Sequence, residues 1–332
     1  MKERSADNIL ATRKWAKVVL WTTGAVLLVM TVIGIYFSRE PDIFWVNHSA
    51  DAESAVVGVS TTDTLIRVAE TLLDKQGGYL TNDKMPPSVF LDNIPSWEFG
   101  ALTQVRDLAR VMRDDYTRSQ SQSKEDEDIA KGAPRFFFDS DSWIFPATES
   151  EYRDGIESFI DYRQRLLDED QDTQFYARAD NLREWLSQVE KRLGSLTRRL
   201  GNSVAASRIN DDLAGDPSAE AAGSQPDTVN VRTGWFEVDN IFFEARGSAW
   251  ALLHFFRAAE FDFAGVLADK NAETSVRQII RELEASLEGL SSPMILNGGG
   301  YGLFANHSLV MANYLARANA AVINLRELLD QG

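Results

Sequence analysis

Residues 18–37 read VVLWTTGAVLLVMTVIGIYF, twenty positions without a charge. At about 1.5 Å per helical residue the run reaches roughly 30 Å, the thickness of a bilayer's hydrocarbon core. Inside lipid such a segment satisfies its backbone polar groups only as a helix. The run is therefore expected to cross a membrane once, with the rest of the chain hung from it.

The flanks predict its direction. Arg13, Lys14 and Lys17 stand just before the run, with Lys2 and Arg4 further back; Arg39, Glu40 and Asp42 follow it. Positive charge stays on the cytoplasmic side, so residues 1–17 are read as a cytoplasmic tail and the body as lying across the membrane. Trp15, Trp21 and Tyr36 lie near the ends, where amphipathic rings favour the headgroup zone. Phe37-Ser38-Arg39-Glu40-Pro41 is a poor cleavage site, which favours a retained anchor over a signal peptide. Residues 38–60 then read as a linker and 61–332 as the folded body.

The whole chain carries −16; residues 1–17 hold five basic and two acidic side chains, which leaves the remainder at −19. A body so acidic is repelled by nucleic acid and by anionic headgroups, so no nucleic-acid partner is expected. The absence of cysteine excludes disulfides, thiolate metal sites and cysteine nucleophiles.

Periodicity predicts an all-α body, a soluble helical bundle with long hairpins. A first helix is expected from about Asp63 to Gly77-Gly78, then a long proline-containing loop, then a helix capped by Ser96 and running to Tyr116. Residues 117–133 read as a helical extension or a polar connection. Thr148 and Glu151 have the spacing of a capping box for a helix over 149–167. Phe175, Ala179, Leu182, Leu186, Val189, Leu193, Leu196 and Leu200 alternate by four and three, the seam of a coiled coil. Its arginine-rich flanks suggest an antiparallel hairpin with the acidic 149–167 helix, with self-association through residues 175–200 as the other use of the seam. Residues 202–232 lack periodicity and read as a flexible loop. A helix from Trp235 to about Phe263 is apolar nearly all round, so it belongs at the centre. Helices over 272–290, capped by Asn271, and about 308–330 complete the set.

Chemistry is sparsely signalled. The three histidines, His48, His254 and His307, have no zinc-binding spacing, and neither a nucleophile elbow nor a phosphate loop occurs. No metal and no cofactor is therefore expected, and His254 reads as a core residue. Glu98, on the first turn of a helix between Trp97 and Phe99, is the one candidate general acid; an acid there also simply complements the helix dipole. Tyr79, Asn82 and Trp97 near one glycine loop, and Asn297, Tyr301 and His307 near another, are candidates to line a sugar- or peptide-binding groove.

The stretches GGYLTND, PPSVFLDNIPSWEFG, RSQSQSKEDED, FYARADNL, EARGSAWALLH and ANHSLVMANYLARANAA resemble the motifs of domain of unknown function 2333, an uncharacterised bacterial inner-membrane family. The resemblance runs over nearly the whole chain after the anchor. It implies a Gram-negative source and one inner-membrane anchor, and it brings no catalytic residues. The expectation is a single-pass inner-membrane protein with a periplasmic helical body, more a binding or scaffold module for envelope proteins or cell-wall glycan than an enzyme. The alternative is a glycan-acting hydrolase or lyase with Glu98 as its acid.

Overall fold

The computed structural model describes residues 2–46, 56–120, 123–204, 206–209, 228–290, 294–299 and 303–331. Helix α1 (Lys2–Phe37) is followed by α2 (Val59–Asp74), α3 (Asn93–Val111) with a π turn at Met112–Tyr116, and α4 (Glu127–Arg135). Then come α5 (Thr148–Leu167), α6 (Ala179–Gly201), α7 (Val238–Asp262), α8 (Ala264–Asp269), α9 (Glu273–Ser286) and α10 (His307–Asp330). The fold is all-α with one long apolar helix at its N-terminal end, as the periodicity predicts. Within α1, residues Lys14–Phe37 are long and apolar enough to cross a membrane, with a mean hydropathy of 2.3 over an 18-residue stretch. The short tail is part of the same helix rather than a separate segment.

Helix α7 is the axis of the body. Trp250, Leu252, Leu253, His254, Phe255 and Phe256 are all buried, on every side of the helix. Its closest neighbour is α3, which runs parallel to it. Ser248 Oγ donates to the Gly100 carbonyl at 3.1 Å near one end, and the rings of Tyr116 and Phe263 lie 5.3 Å apart at the other. Two glycines permit this approach: a Cβ on Gly100 would meet the Glu244 carbonyl oxygen, and one on Gly247 would meet that of Trp97. The two backbones touch where side chains would otherwise hold helices 8–10 Å apart.

The coiled-coil seam of α6 finds a different partner from the one its charges suggest. Helix α6 lies antiparallel along α10, with Arg183 paired to Asp330 and Arg326 to Glu190, and its seam leucines are buried inside the chain. Helix α5 instead buries Tyr152, Ile156, Phe159 and Tyr162 against α2 and α4. The arginines of α6 take their acids from distant elements: Arg192 from Asp107 on α3 and Arg199 from Glu244 on α7. Charge complementarity therefore named the right kind of neighbour and the wrong helix.

Several local expectations are corrected in the same way. The polar stretch after residue 117 contains α4, whose first turn is capped by Asp126, accepting from the Asp128 and Ile129 amides. Asp126 and Asp128 together hold Arg165, which gives the KEDED part of that motif a structural role. Thr148 forms no capping box. Its hydroxyl donates to the Asp139 and Ser142 carbonyls, and Glu151 pairs with Arg135. Helix α9 is capped at Ala272, not Asn271. At the two ends of the 202–232 loop, β1 (Ala206–Ile209) and β2 (Thr228–Val231) pair antiparallel, with Ala206 opposite Val231. Residues 210–227 lie outside the described residues.

The linker after α1 is a strap over its described length. Glu40 binds Arg246, the Asp42 carbonyl accepts from the Trp250 indole at 3.3 Å, and the Phe44 amide donates to His254 Nε2 at 3.1 Å. The Phe44 ring stacks on His254 at 3.7 Å, with the Arg67 guanidinium 4.1 Å from its other face. Val46 is buried, while Ile43 and Trp45 face outward. Extended backbone thus follows the surface of α7 for three helical turns from the end of α1.

Candidate functional site

Glu98 is sealed inside the protein. Its carboxylate accepts from the Leu80 and Thr81 amides at 2.8 Å each and from the Thr81 hydroxyl at 2.5 Å. Lys75 Nζ meets it at 2.5 Å, and the two side chains are 2% and 0% exposed. The same ammonium donates to the Gly78 carbonyl. Together they bind the Gly77–Thr81 turn, where Gly77 and Gly78 have positive φ, to the first turns of α3. Four donors occupy the carboxylate's lone pairs, so the arrangement acts as a clasp on a loop.

The other candidate residues divide between two loops. Tyr79 donates to the Ser140 carbonyl at 3.0 Å, and Asn82 donates to the Ser142 carbonyl and to Glu149. Both are buried, and burial pushes the Tyr79 phenol far above its ordinary pKa, so it is a fixed neutral donor. Trp97 is wholly buried, 5.1 Å from the Trp250 ring. On the second loop Asn297 Oδ1 accepts from the Ser308 amide, and His307 Nδ1 accepts from the Leu296 amide at 2.9 Å. Tyr301 lies outside the described residues. The hydrogen bonds of the first group go to the 139–149 segment and those of the second to residues 296–308.

A sizeable hollow lies by the second loop. A cavity of about 600 Å³ opens between the start of α7, the residues after α9 and the start of α3. Trp235, Val238, Phe243, Leu290, Met294 and Ile295 give it apolar walls; Asn93, Ser203, Arg232, Asp239 and Asn297 supply polar groups. Its size and mixed lining are those of a small-ligand or side-chain pocket. Asn93 and Ser203 line it, but Asn93 Oδ1 and Ser203 Oγ are themselves closed off from solvent and have no hydrogen-bond partner among the described residues. Such atoms carry a desolvation cost until something bonds to them. Burial raises the Asp239 pKa, and the nearby Asp92 carboxylate adds to the rise. Sequence reasoning reached Asn297 alone of these residues, because the others are unremarkable one by one and converge only in space.

His254 is held neutral. Its Nδ1 lies 2.6 Å from the Trp250 carbonyl and its Nε2 receives the Phe44 amide, and burial pulls its pKa down to about 4. Among the described residues no group of three His, Asp or Glu side chains is arranged to hold a metal ion.

No curated protein and no solved structure matches this chain. A family model does, over residues 11–332, from α1 to the last residue of the chain. The chain therefore belongs to the family described as an uncharacterized protein conserved in bacteria, DUF2333.

Proposed function

We propose that the chain is a single-pass inner-membrane protein holding a non-catalytic helical binding module on the periplasmic side, for an envelope protein or a cell-wall glycan. The observation that carries this reading is the cavity between the starts of α3 and α7, with polar side chains set among apolar walls. The strap adds weight, because it fixes the body to its anchor instead of tethering it loosely. The basic residues before the span favour the cytoplasmic side for the N-terminus. The rival glycan-cleaving role for Glu98 draws no support from a carboxylate closed off by Lys75 and Thr81. The buried α6 seam leaves self-association without an open surface there.

A photo-crosslinking amino acid at Asp239, on the cavity wall, in cells with native membranes, tests the binding site. A discrete adduct is expected, and it should vanish when Val238→Trp fills the cavity while the unfolding midpoint stays unchanged. An adduct indifferent to the plug would move binding elsewhere. A C-terminal reporter active only in the periplasm tests the orientation.

A further inference from the structure

Apart from Trp45, the most exposed large apolar side chains of the body gather at the end from which α1 leaves. Gly34 lies three residues before the end of α1, and a Cβ there would stand 3.8 Å from both Leu91 and Pro87. The Phe37 ring lies against Gly77. The loop between α2 and α3 therefore flanks the last turns of the apolar helix, reaching about 4.5 Å inside its end at 1.5 Å per residue. The starts of three more helices share this end. Asn82 binds Ser142 and Glu149 beside the start of α5. Helix α7 runs parallel to α3, and Asn93 and Val238 line one cavity. The His307 amide, opening α10, donates to the Leu296 carbonyl on the wall of that cavity.

The loops before these four helices carry Phe90 at 77% exposure, Phe145 at 95%, Trp235 at 76%, Phe236 at 86%, Leu303 at 102% and Phe304 at 70%. At the opposite end Tyr116, Phe175 and Phe263 turn their rings on one another and close the core. Exposed apolar groups gathered so strongly at one end mark an interaction surface. Removing such side chains from water is favourable in proportion to the apolar area buried. Aromatic rings favour the headgroup zone, and apolar surfaces that rest on a bilayer sink about 5–10 Å into it.

We infer that these loops form an apolar crown that inserts into the interfacial zone of the leaflet from which α1 emerges, so that the body sits on the lipid. The inference rests on reading α1 as a membrane span. Continuity with α1 selects lipid over a second copy or a protein partner, because the 86–91 loop already touches the helix at a level inside its apolar run. Apolar insertion, not charge, holds the surface down, since the body is acidic.

The cysteine-free chain permits a direct test. The full chain carries a single environment-sensitive fluorophore on Phe90→Cys, Phe145→Cys or Phe236→Cys and is placed in nanodiscs of phosphatidylethanolamine and phosphatidylglycerol. Blue-shifted emission is expected, quenched by lipids bearing a shallow nitroxide and protected from aqueous iodide. Leu28→Cys, in the span, should be quenched by a deep nitroxide; Leu167→Cys, at the far end, should respond only to iodide. A quenched Leu28 probe with crown probes that behave like Leu167 overturns the crown and leaves the span intact. Crown probes blue-shifted but untouched by lipid nitroxide overturn it in favour of a protein partner or second copy. An unquenched Leu28 probe overturns the span and the crown together.

Discussion

Glu40 and Arg246 are 206 positions apart and form a bidentate ion pair at 2.7 Å, with the arginine side chain only 6% exposed. The same guanidinium donates to the Ser286, Leu287 and Glu288 carbonyls at the end of α9. One residue just past the apolar helix is thereby bound to the central helix and, through it, to a third element.

Removing Glu40 strands a buried cation. Glu40→Ala is expected to cost about 3 kcal/mol, the lower part of the range for breaking a buried pair, because the carbonyl partners remain. Urea unfolding of the detergent-solubilised chain measures the loss, and limited proteolysis should open the strap between residues 38 and 46. A change below about 0.5 kcal/mol, the value of an exposed pair, would show that the strap is not fastened here.

The Lys75–Glu98 clasp separates a structural role from a catalytic one. Glu98→Gln leaves the Lys75 ammonium buried without its counter-charge and should cost about 3–5 kcal/mol. Adding Lys75→Met to the Gln variant should recover most of that loss, since the amide oxygen still accepts from Leu80 and Thr81. The coupling in the double-mutant cycle is the quantity to measure. A Glu98→Gln protein of unchanged stability that fails to complement a deletion would restore the general-acid reading.

His254 predicts a pH dependence. Burial lowers its folded pKa from 6.5 to about 4, with Arg257 and Arg67 adding to the fall. Between those values the unfolded chain binds the extra proton and the folded one does not. Stability from this group is complete above about pH 6.5 and is lost as pH falls towards 4, by on the order of 3 kcal/mol. Unfolding midpoints across this window should show the slope, and His254→Leu should flatten it. Burial raises the Asp262 pKa, which works in the opposite sense, so the comparison with the variant isolates the histidine.

The α3–α7 contact tolerates no side chain at its crossing. Gly247→Ala drives a Cβ into the Trp97 carbonyl and should cost about 3 kcal/mol, the upper part of the range for overpacking. Gly265→Ala, with open space around it, serves as the neutral control in thermal unfolding.

Much of the fold is legible locally. The stripe of Leu65, Ile66, Ala69, Leu72 and Leu73 predicts the inward face of α2, and all five residues are buried. The all-round apolarity of α7 predicts its central place. What misled was chemistry that needs a partner to be read. Thr148 and Glu151 have capping-box spacing, yet each found a stronger partner on the 135–142 segment. Asn271 is a good capping residue by type, but the chain turns through positive φ there and the helix begins beyond it. Of the candidate groove residues, Tyr79, Asn82 and Trp97 are used for packing and loop bonding, while Asn297 lines the cavity.

By itself the sequence determined the long apolar helix, the basic and acidic flanks around it and the helical period of nearly every element, because these depend on residues within a few turns of one another. Tertiary structure decided which helices pair, where the strap lies, that Glu98 is a clasp, and that a cavity and exposed aromatic loops share the end beside α1. Those outcomes turn on contacts beyond the reach of a local pattern, in the extreme between residues more than a hundred positions apart, such as Glu40 with Arg246 or Arg183 with Asp330. A local pattern fixes which face of a helix is apolar; only the closing of the whole chain chooses what covers it.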